Sequence, residues 1–233
     1  MKTKDERLLS DIIHWDVKNW SQAVKFWDRQ IDWTQVHTCL ELGGREGGLA
    51  LWMALKGKSV VCSDLADVER TAKEYHRKYQ LDSAIQYQDI DATQIPYENQ
   101  FDIIAFKSVL GGIGRNDNKR AQQAAIDQIH KALKPGGKLL FAENLTASGF
   151  HKFIRRKFVR WGESWRYVTL SEMAEFLKAF SNVEIRTTGV LGAFGRTERQ
   201  RHLFAGIDQA VLNRVTPARW KYIVYGIAQK GPA

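Results

Sequence analysis

Short apolar runs alternate with longer amphipathic ones through the middle of the chain, and this alternation limits the possible folds more than any other feature. Residues 37–42, 58–63, 84–88, 101–106 and 138–143 each read as a strand. Helical stretches at 48–56, 67–79 and 118–133 lie between them, the last with Ala121, Ala125, Ile129 and Ala132 at spacings of three and four. Lys134-Pro135-Gly136-Gly137 ends that helix. Strands alternating with helices of this length imply a parallel sheet with helices on both faces. The strands are nearly continuous in apolar residues, as a sheet buried on both sides requires.

The flanks differ from the middle. The first 35 residues hold Trp15, Trp20, Trp27 and Trp33, four of the eight tryptophans, and read as one or two amphipathic helices capping the sheet. Residues 151–167 are basic and aromatic. Thr169 with Glu172 three residues on forms a capping-box pattern, which predicts a helix to about residue 180. Residues 183–186 read as a strand, 197–215 as a helix with Leu203, Ile207 and Val211 on one face, and 222–227 as a strand. The expected organisation is a single domain over 1–233, with an N-terminal cap over 1–35 and insertions at about 144–167 and 188–219.

The chain has 44% hydrophobic and 26% charged residues, which excludes a disordered chain and a disulfide scaffold. No run approaches the roughly 18 apolar residues of a membrane span. The charged N-terminus leads into no apolar core, so a cytoplasmic protein is expected. Cys39 and Cys62 sit inside strand runs without a CxxC partner and are expected as buried reduced thiols, with no metal site. A net charge of +9 draws the chain toward anions: nucleic acid, anionic lipid or phosphorylated sugars.

The segment Glu41-Leu42-Gly43-Gly44-Arg45-Glu46-Gly47-Gly48 joins the first strand to the first helix of the sheet. Ligands of open parallel sheets bind at the carboxyl ends of the strands, and glycines there let the backbone approach a ligand closely. A dinucleotide fingerprint needs glycine at 43, 45 and 48, but position 45 is Arg. The loop's last glycine, Gly48, is followed by Leu49-Ala50 and not by Lys-Ser/Thr, so an ATP-type phosphate loop is excluded. The acidic Glu41 disfavours a pyrophosphate and suits a cationic amine and sulfonium, both of which S-adenosylmethionine (SAM) carries. Asp64 ends the second strand, 21 residues after Gly43, about where a carboxylate receives ribose hydroxyls. Asp91, after the third strand, is placed to accept from an adenine amino group.

Taken together, these positions resemble the class I SAM-dependent methyltransferases. The match runs through Glu41-Leu42-Gly43 to Gly47, Asp64, Asp91-Ala92 with Ile95-Pro96-Tyr97, Phe101-Asp102-Ile103-Ile104, and Leu133 to Leu140. The resemblance implies a Rossmann-like, doubly wound seven-stranded α/β sheet, mostly parallel, with the last strand antiparallel. It implies SAM as cofactor, held by Glu41, Gly43, Gly44, Gly47, Asp64, Leu65, Asp91, Ala92 and Lys107. Arg45 departs from the family pattern, since a glycine is usual there. A faint resemblance to small bacterial methyltransferases of surface-polysaccharide assembly rests on residues 15–21 and 219–222.

Methyl transfer from a sulfonium is an in-line displacement that asks for alignment and desolvation. An oxygen acceptor also needs a base or an acidic hydroxyl, and His151, Glu143 and Ser108 are the candidate catalytic residues. The expected acceptor is a hydroxyl of a small molecule or glycan, including a lipid-linked glycan. The basic aromatic segment adds two further partners: an anionic membrane surface and, as the alternative acceptor, RNA or another nucleic acid. Lys107-Ser108-Val109-Leu110 stands where base N-methylases carry Asn/Asp-Pro-Pro-Tyr, which counts against that alternative. No tyrosine has Lys four residues later, which argues against a nucleotide-sugar oxidoreductase or epimerase.

Overall fold

The computed structural model describes residues 3–149, 151–153 and 164–232. Thr3 opens α1 (Lys4–Ile13) with a capping box to Glu6. A turn through His14, Trp15 and Asp16 leads to α2 (Val17–Gln30). The sheet then forms from β1 (Thr38–Leu42), β2 (Ser59–Asp64), β3 (Ile85–Asp89), β4 (Phe101–Lys107), β5 (Leu133–Asn144), β6 (Asn182–Thr188) and β7 (Ile223–Gln229). Its order is β3-β2-β1-β4-β5-β7-β6, and β7 runs antiparallel to both of its neighbours. The seven-stranded, mostly parallel sheet expected from the sequence is therefore present.

Helices cover both faces. On one face α1, α2, α3 (Gly48–Ala54) and α4 (Val68–Arg77) pack a core of Ile12, Trp20, Trp27, Trp52, Val60 and Ile103. On the other, the short α5 (Leu110–Ile113), α6 (Lys119–Ala132) and α7 (Leu170–Phe176) bury Leu40, Phe106, Ile129, Phe141 and Phe176. Trp27 reaches the sheet itself and donates from Nε1 to the carbonyl of Gly226 at 2.9 Å. Asn118 caps α6, and the Thr169–Glu172 capping box opens α7 as its spacing predicts. The two cysteines are buried and free.

Three expectations change in detail. Pro135-Gly136-Gly137 does follow the end of α6 at Ala132, but the run is absorbed into β5 as a register shift against Phe101 and Ile103. The helix α7 stops at Phe176 rather than near 180. The predicted helix over 197–215 is α8 (Glu198–Ile207), continued by a π-helical turn over Asp208–Leu212 and a last turn over Asn213–Val215. Its Leu203, Ile207 and Val211 face solvent, 63%, 42% and 53% exposed. The cause is Asp208, fully buried on the opposite side. Its carboxylate accepts from Leu191 N at 2.8 Å, Gly192 N at 3.0 Å and Asn19 Nδ2 at 3.1 Å. A buried carboxylate keeps such donors, and they set the rotation of the helix.

The helices α1 and α3 meet closely at Gly48, the first residue of α3. A Cβ there would run into the carbonyl of Ile12 at the end of α1, and backbone cannot swing aside as a side chain can. Gly48→Ala is expected to lower stability by about 1–3 kcal/mol through overpacking, read as a lower urea midpoint with an unchanged denaturant slope.

Candidate active site

The glycine loop is built by a carboxylate. Glu41, at the end of β1 and 4% exposed, accepts from Leu49 N at 3.0 Å and Ala50 N at 2.7 Å, the first free amides of α3. Helix N-termini favour such a charge. Burial still pushes the Glu41 carboxyl up to about 7, against the pull of those amides and of Lys107. The chain between them turns through the left-handed region at Gly43 (φ 64), Arg45 (φ 49) and Gly47 (φ 73). Gly44 N donates to Ser63 O at 2.8 Å, pinning the loop to β2. A Cβ at Gly44 would sit 3.0 Å from the Glu41 carboxylate, and one at Gly47 2.5 Å from the His76 ring. His76, buried in α4, meets Gly47 O through Nε2 at 2.8 Å and Tyr87 Oη through Nδ1 at 2.9 Å. Burial lowers its pKa.

Arg45 occupies the left-handed position without a glycine's freedom, a strained conformation for a side chain of its size. Two contacts hold it: its N–H donates to Asp64 Oδ2 at 2.8 Å, and its carbonyl accepts from Thr71 Oγ1 at 2.9 Å. The other oxygen of Asp64 accepts from Leu65 N at 2.7 Å. Asp64 thus stays on the rim with spare lone pairs, and Leu65 beside it is 69% exposed. Asp91 is exposed and accepts from the amide and hydroxyl of Thr93; Ala92 lies next to it, half-buried. Asp89 is spent on the start of α4, accepting from Asp67 N and Val68 N.

Lys107 ends β4 in the middle of this edge, half-buried. Its ammonium lies 5.8 Å from the centroid of Trp15 and 5.2 Å from that of Trp20. Among the described residues no carboxylate pairs with it directly and no hydrogen bond reaches it. Burial brings its pKa down to about 8, against the opposing pull of Glu41 and Glu143. The roof over it is the turn between α1 and α2, where His14 (φ 69) and Asp16 (φ 45) are both left-handed. Strain of this kind clusters at functional sites. In the sequence Trp15 and Trp20 stand in the amphipathic cap and in the faint resemblance over residues 15–21, and nothing there singles out His14.

The three candidate bases are all engaged. Glu143 is fully buried, with Oε2 accepting from Val109 N and Leu110 N at 2.7 Å each and Oε1 from Asn144 N at 2.8 Å. That geometry shapes the turn after β4 instead of presenting a free base. His151 is 2% exposed, with Nε2 on Val190 O at 2.8 Å and Nδ1 on Ser148 Oγ at 2.7 Å, so both ring nitrogens are occupied. Ser108 (φ 58) accepts from Asn144 Nδ2 at 2.6 Å. Of the basic aromatic segment, residues 154–163 lie outside the described residues. Arg166, at its end, is tied to Asp117 at 2.8 Å and Glu172 at 2.5 Å and is not presented to an anion.

The roof is stapled from beneath. Tyr222 Oη donates to Asp16 Oδ2, and Asn19 Nδ2 donates to Tyr222 Oη at 2.8 Å. Burial raises the Asp16 carboxyl from 3.8 to about 7, with Glu198 and Asp208 adding to the rise and the Tyr222 bond opposing it. The folded state therefore binds this proton more tightly than the unfolded chain. Its contribution to stability is full below 3.8 and is lost as pH rises through about 7. Asp16→Asn is expected to flatten the fall in urea midpoint across that window relative to the parent chain.

Residues 40–141 match the family model described as a methyltransferase domain. Among curated proteins, the chain is similar to the tetracenomycin polyketide synthesis 8-O-methyl transferase TcmO of Streptomyces glaucescens. The identity is 25% over 182 residues, 72% of this chain and 52% of that protein. The chain thus spans about half the length of that relative. Among solved structures it is similar to Haemonchus contortus phosphoethanolamine N-methyltransferase 2, solved with S-adenosylhomocysteine. The TM-score is 0.63 at 18% identity, covering 92% of this chain and 53% of that one. It is also similar to a methyltransferase-like protein of Bacillus halodurans, with a TM-score of 0.62 at 16% identity, covering 91% and 99%. At these identities the structures speak for the fold alone. The chain's central strands, residues 40–141, are thus similar to a methyltransferase domain, and its fold is that of the methyltransferase structures named here.

Proposed function

We propose that the chain binds SAM in the crevice between the glycine loop and the α1–α2 turn and transfers its methyl group to a hydroxyl of a small molecule. The observation that carries this reading is the Lys107 ammonium, held over Trp15 and Trp20 with no direct ion-pair or hydrogen-bond partner among the described residues. A charge so placed calls for an anion, and the carboxylate at the methionine end of SAM supplies one. Gly43, Gly44 and Gly47 let the loop that would hold that end pack directly on Val109, Glu41 and His76. Asp64, with lone pairs left after Arg45 and Leu65, suits the ribose hydroxyls. Leu65 and Ala92 flank the place for adenine, and Asp91 accepts from its amino group. Glu41 acts on the cofactor through the loop it holds, since both of its oxygens are already taken.

Bound SAM supplies an electrophilic methyl on a sulfonium; the protein must align the acceptor and keep water out. With Glu143 and His151 fully engaged, an acceptor hydroxyl that is itself acidic suits the site better than one that needs a strong base. The curated relative's name specifies O-methylation, which supports an oxygen acceptor. A glycan hydroxyl, including that of a lipid-linked glycan, is the narrower form of the reading. A labelled-methyl assay on fractionated cell extract separates these acceptors from nucleic acid.

Two variants test the cofactor site. Lys107→Met keeps an apolar stem over Trp15 and Trp20 and drops the charge, and Asp64→Ala removes the rim carboxylate. Each is expected to weaken S-adenosylhomocysteine binding by roughly tenfold to a hundredfold, the range for a hydrogen bond to a charged group, measured by calorimetry. Unchanged affinity in both would place the cofactor elsewhere.

A further inference from the structure

We propose that the outer face of α8 and its continuation is a docking surface for an anionic lipid bilayer. Leu203, Ile207, Val211 and Val215 form a ridge along it, 63%, 42%, 53% and 70% exposed, and Trp220 at 48% follows. The ridge runs about 18 Å, at 1.5 Å per residue. In an α-helix each four-residue step overshoots a full turn, so such a row drifts around the axis. The π-helical turn over Asp208–Leu212 holds more residues per turn and takes back part of that drift. Soluble chains rarely leave a contiguous apolar row uncovered.

The charges beside the ridge say what covers it. Between residues 196 and 221, Arg196, Arg199, Arg214 and Arg219 are exposed, as is His202. The acids of the same stretch are Glu198, which is half-buried and engaged by backbone amides, and Asp208, which is buried. Glu198 accepts from Asp16 N and Val17 N at 3.0 and 2.9 Å, and Asp208 is fully buried. Aliphatic residues flanked by arginine, on a helix seated by a buried carboxylate, are the pattern of an interfacial helix. A second copy fits badly, because a two-fold contact on this face would bring the arginines of both copies together. Nucleic acid fits badly as well, because the ridge has one aromatic ring to stack on and is otherwise aliphatic. This surface is built by the segment between β6 and β7 and leaves Lys107 and the glycine loop out of account, so the inference does not rest on the methyltransferase reading.

The test uses the full chain and vesicle co-sedimentation, with phosphatidylcholine vesicles set against mixed phosphatidylcholine–phosphatidylglycerol vesicles. The parent chain is expected to sediment with the mixed vesicles and to be released by salt. Leu203→Asp with Val211→Asp is expected to lower that binding at least tenfold. Arg199→Gln with Arg214→Gln is expected to lower it about thirtyfold, from the attraction of basic residues to an anionic leaflet. All four positions are exposed, and circular dichroism checks that each double variant stays folded. Failure of the parent chain to bind the mixed vesicles overturns the proposal. So does equal binding by the Leu203/Val211 variant, which would assign the contact to another basic segment. A dimer in light scattering that the same variant turns into a monomer also overturns it, since a second copy would then be the occupant.

Discussion

The structure turns on a carboxylate placed where a helix begins. Glu41 takes two amides at the start of α3 from inside the fold, out of reach of water. A carboxylate buried this deeply is tolerable only with donors aimed at it, so the strand, the loop and the helix must meet at one angle. The glycines follow from that meeting. Gly44 leaves room for the carboxylate, Gly47 for His76, and Gly48 for the end of α1. The loop is therefore tight because of what packs against it.

Arg45 shows how the chain departs from the simplest form of such a loop. It adopts a left-handed conformation that a glycine would adopt freely, and it is held there by Asp64 and Thr71. Asp64 thus has two tasks: to fix the loop and to stand at the rim. Lys107 is the counterpart on the other side of the crevice. It is drawn by the acids at the ends of β1 and β5, yet is bonded to neither among the described residues.

Much of the scaffold was legible in the sequence because its signals are local. The strand runs, the periodicity of α6, the capping box of α7 and the acids at the strand ends all lie within a few residues of what they determine. What escaped was set by partners far along the chain. The outward rotation of α8 comes from Asp208, whose partners Asn19, Leu191 and Gly192 carry no local mark in a helical pattern. The role of His76 depends on Gly47, 29 residues away. The engagement of His151 depends on Val190, 39 residues on. In the sequence His151 stands as a candidate base, whereas the fold buries the ring against Phe194 and Tyr222.

The position of β7 has a consequence for how the chain is made. This strand lies between β5 and β6, and Tyr222 just before it holds Asp16, 206 residues earlier. On the ribosome, β1 to β5 can assemble with their helices while the edge of β5 is still open. The turn that roofs Lys107 acquires its hydroxyl anchor only after residue 222 has emerged. The aromatic cap of a nascent chain thus lacks this anchor until the strand that finishes the sheet arrives.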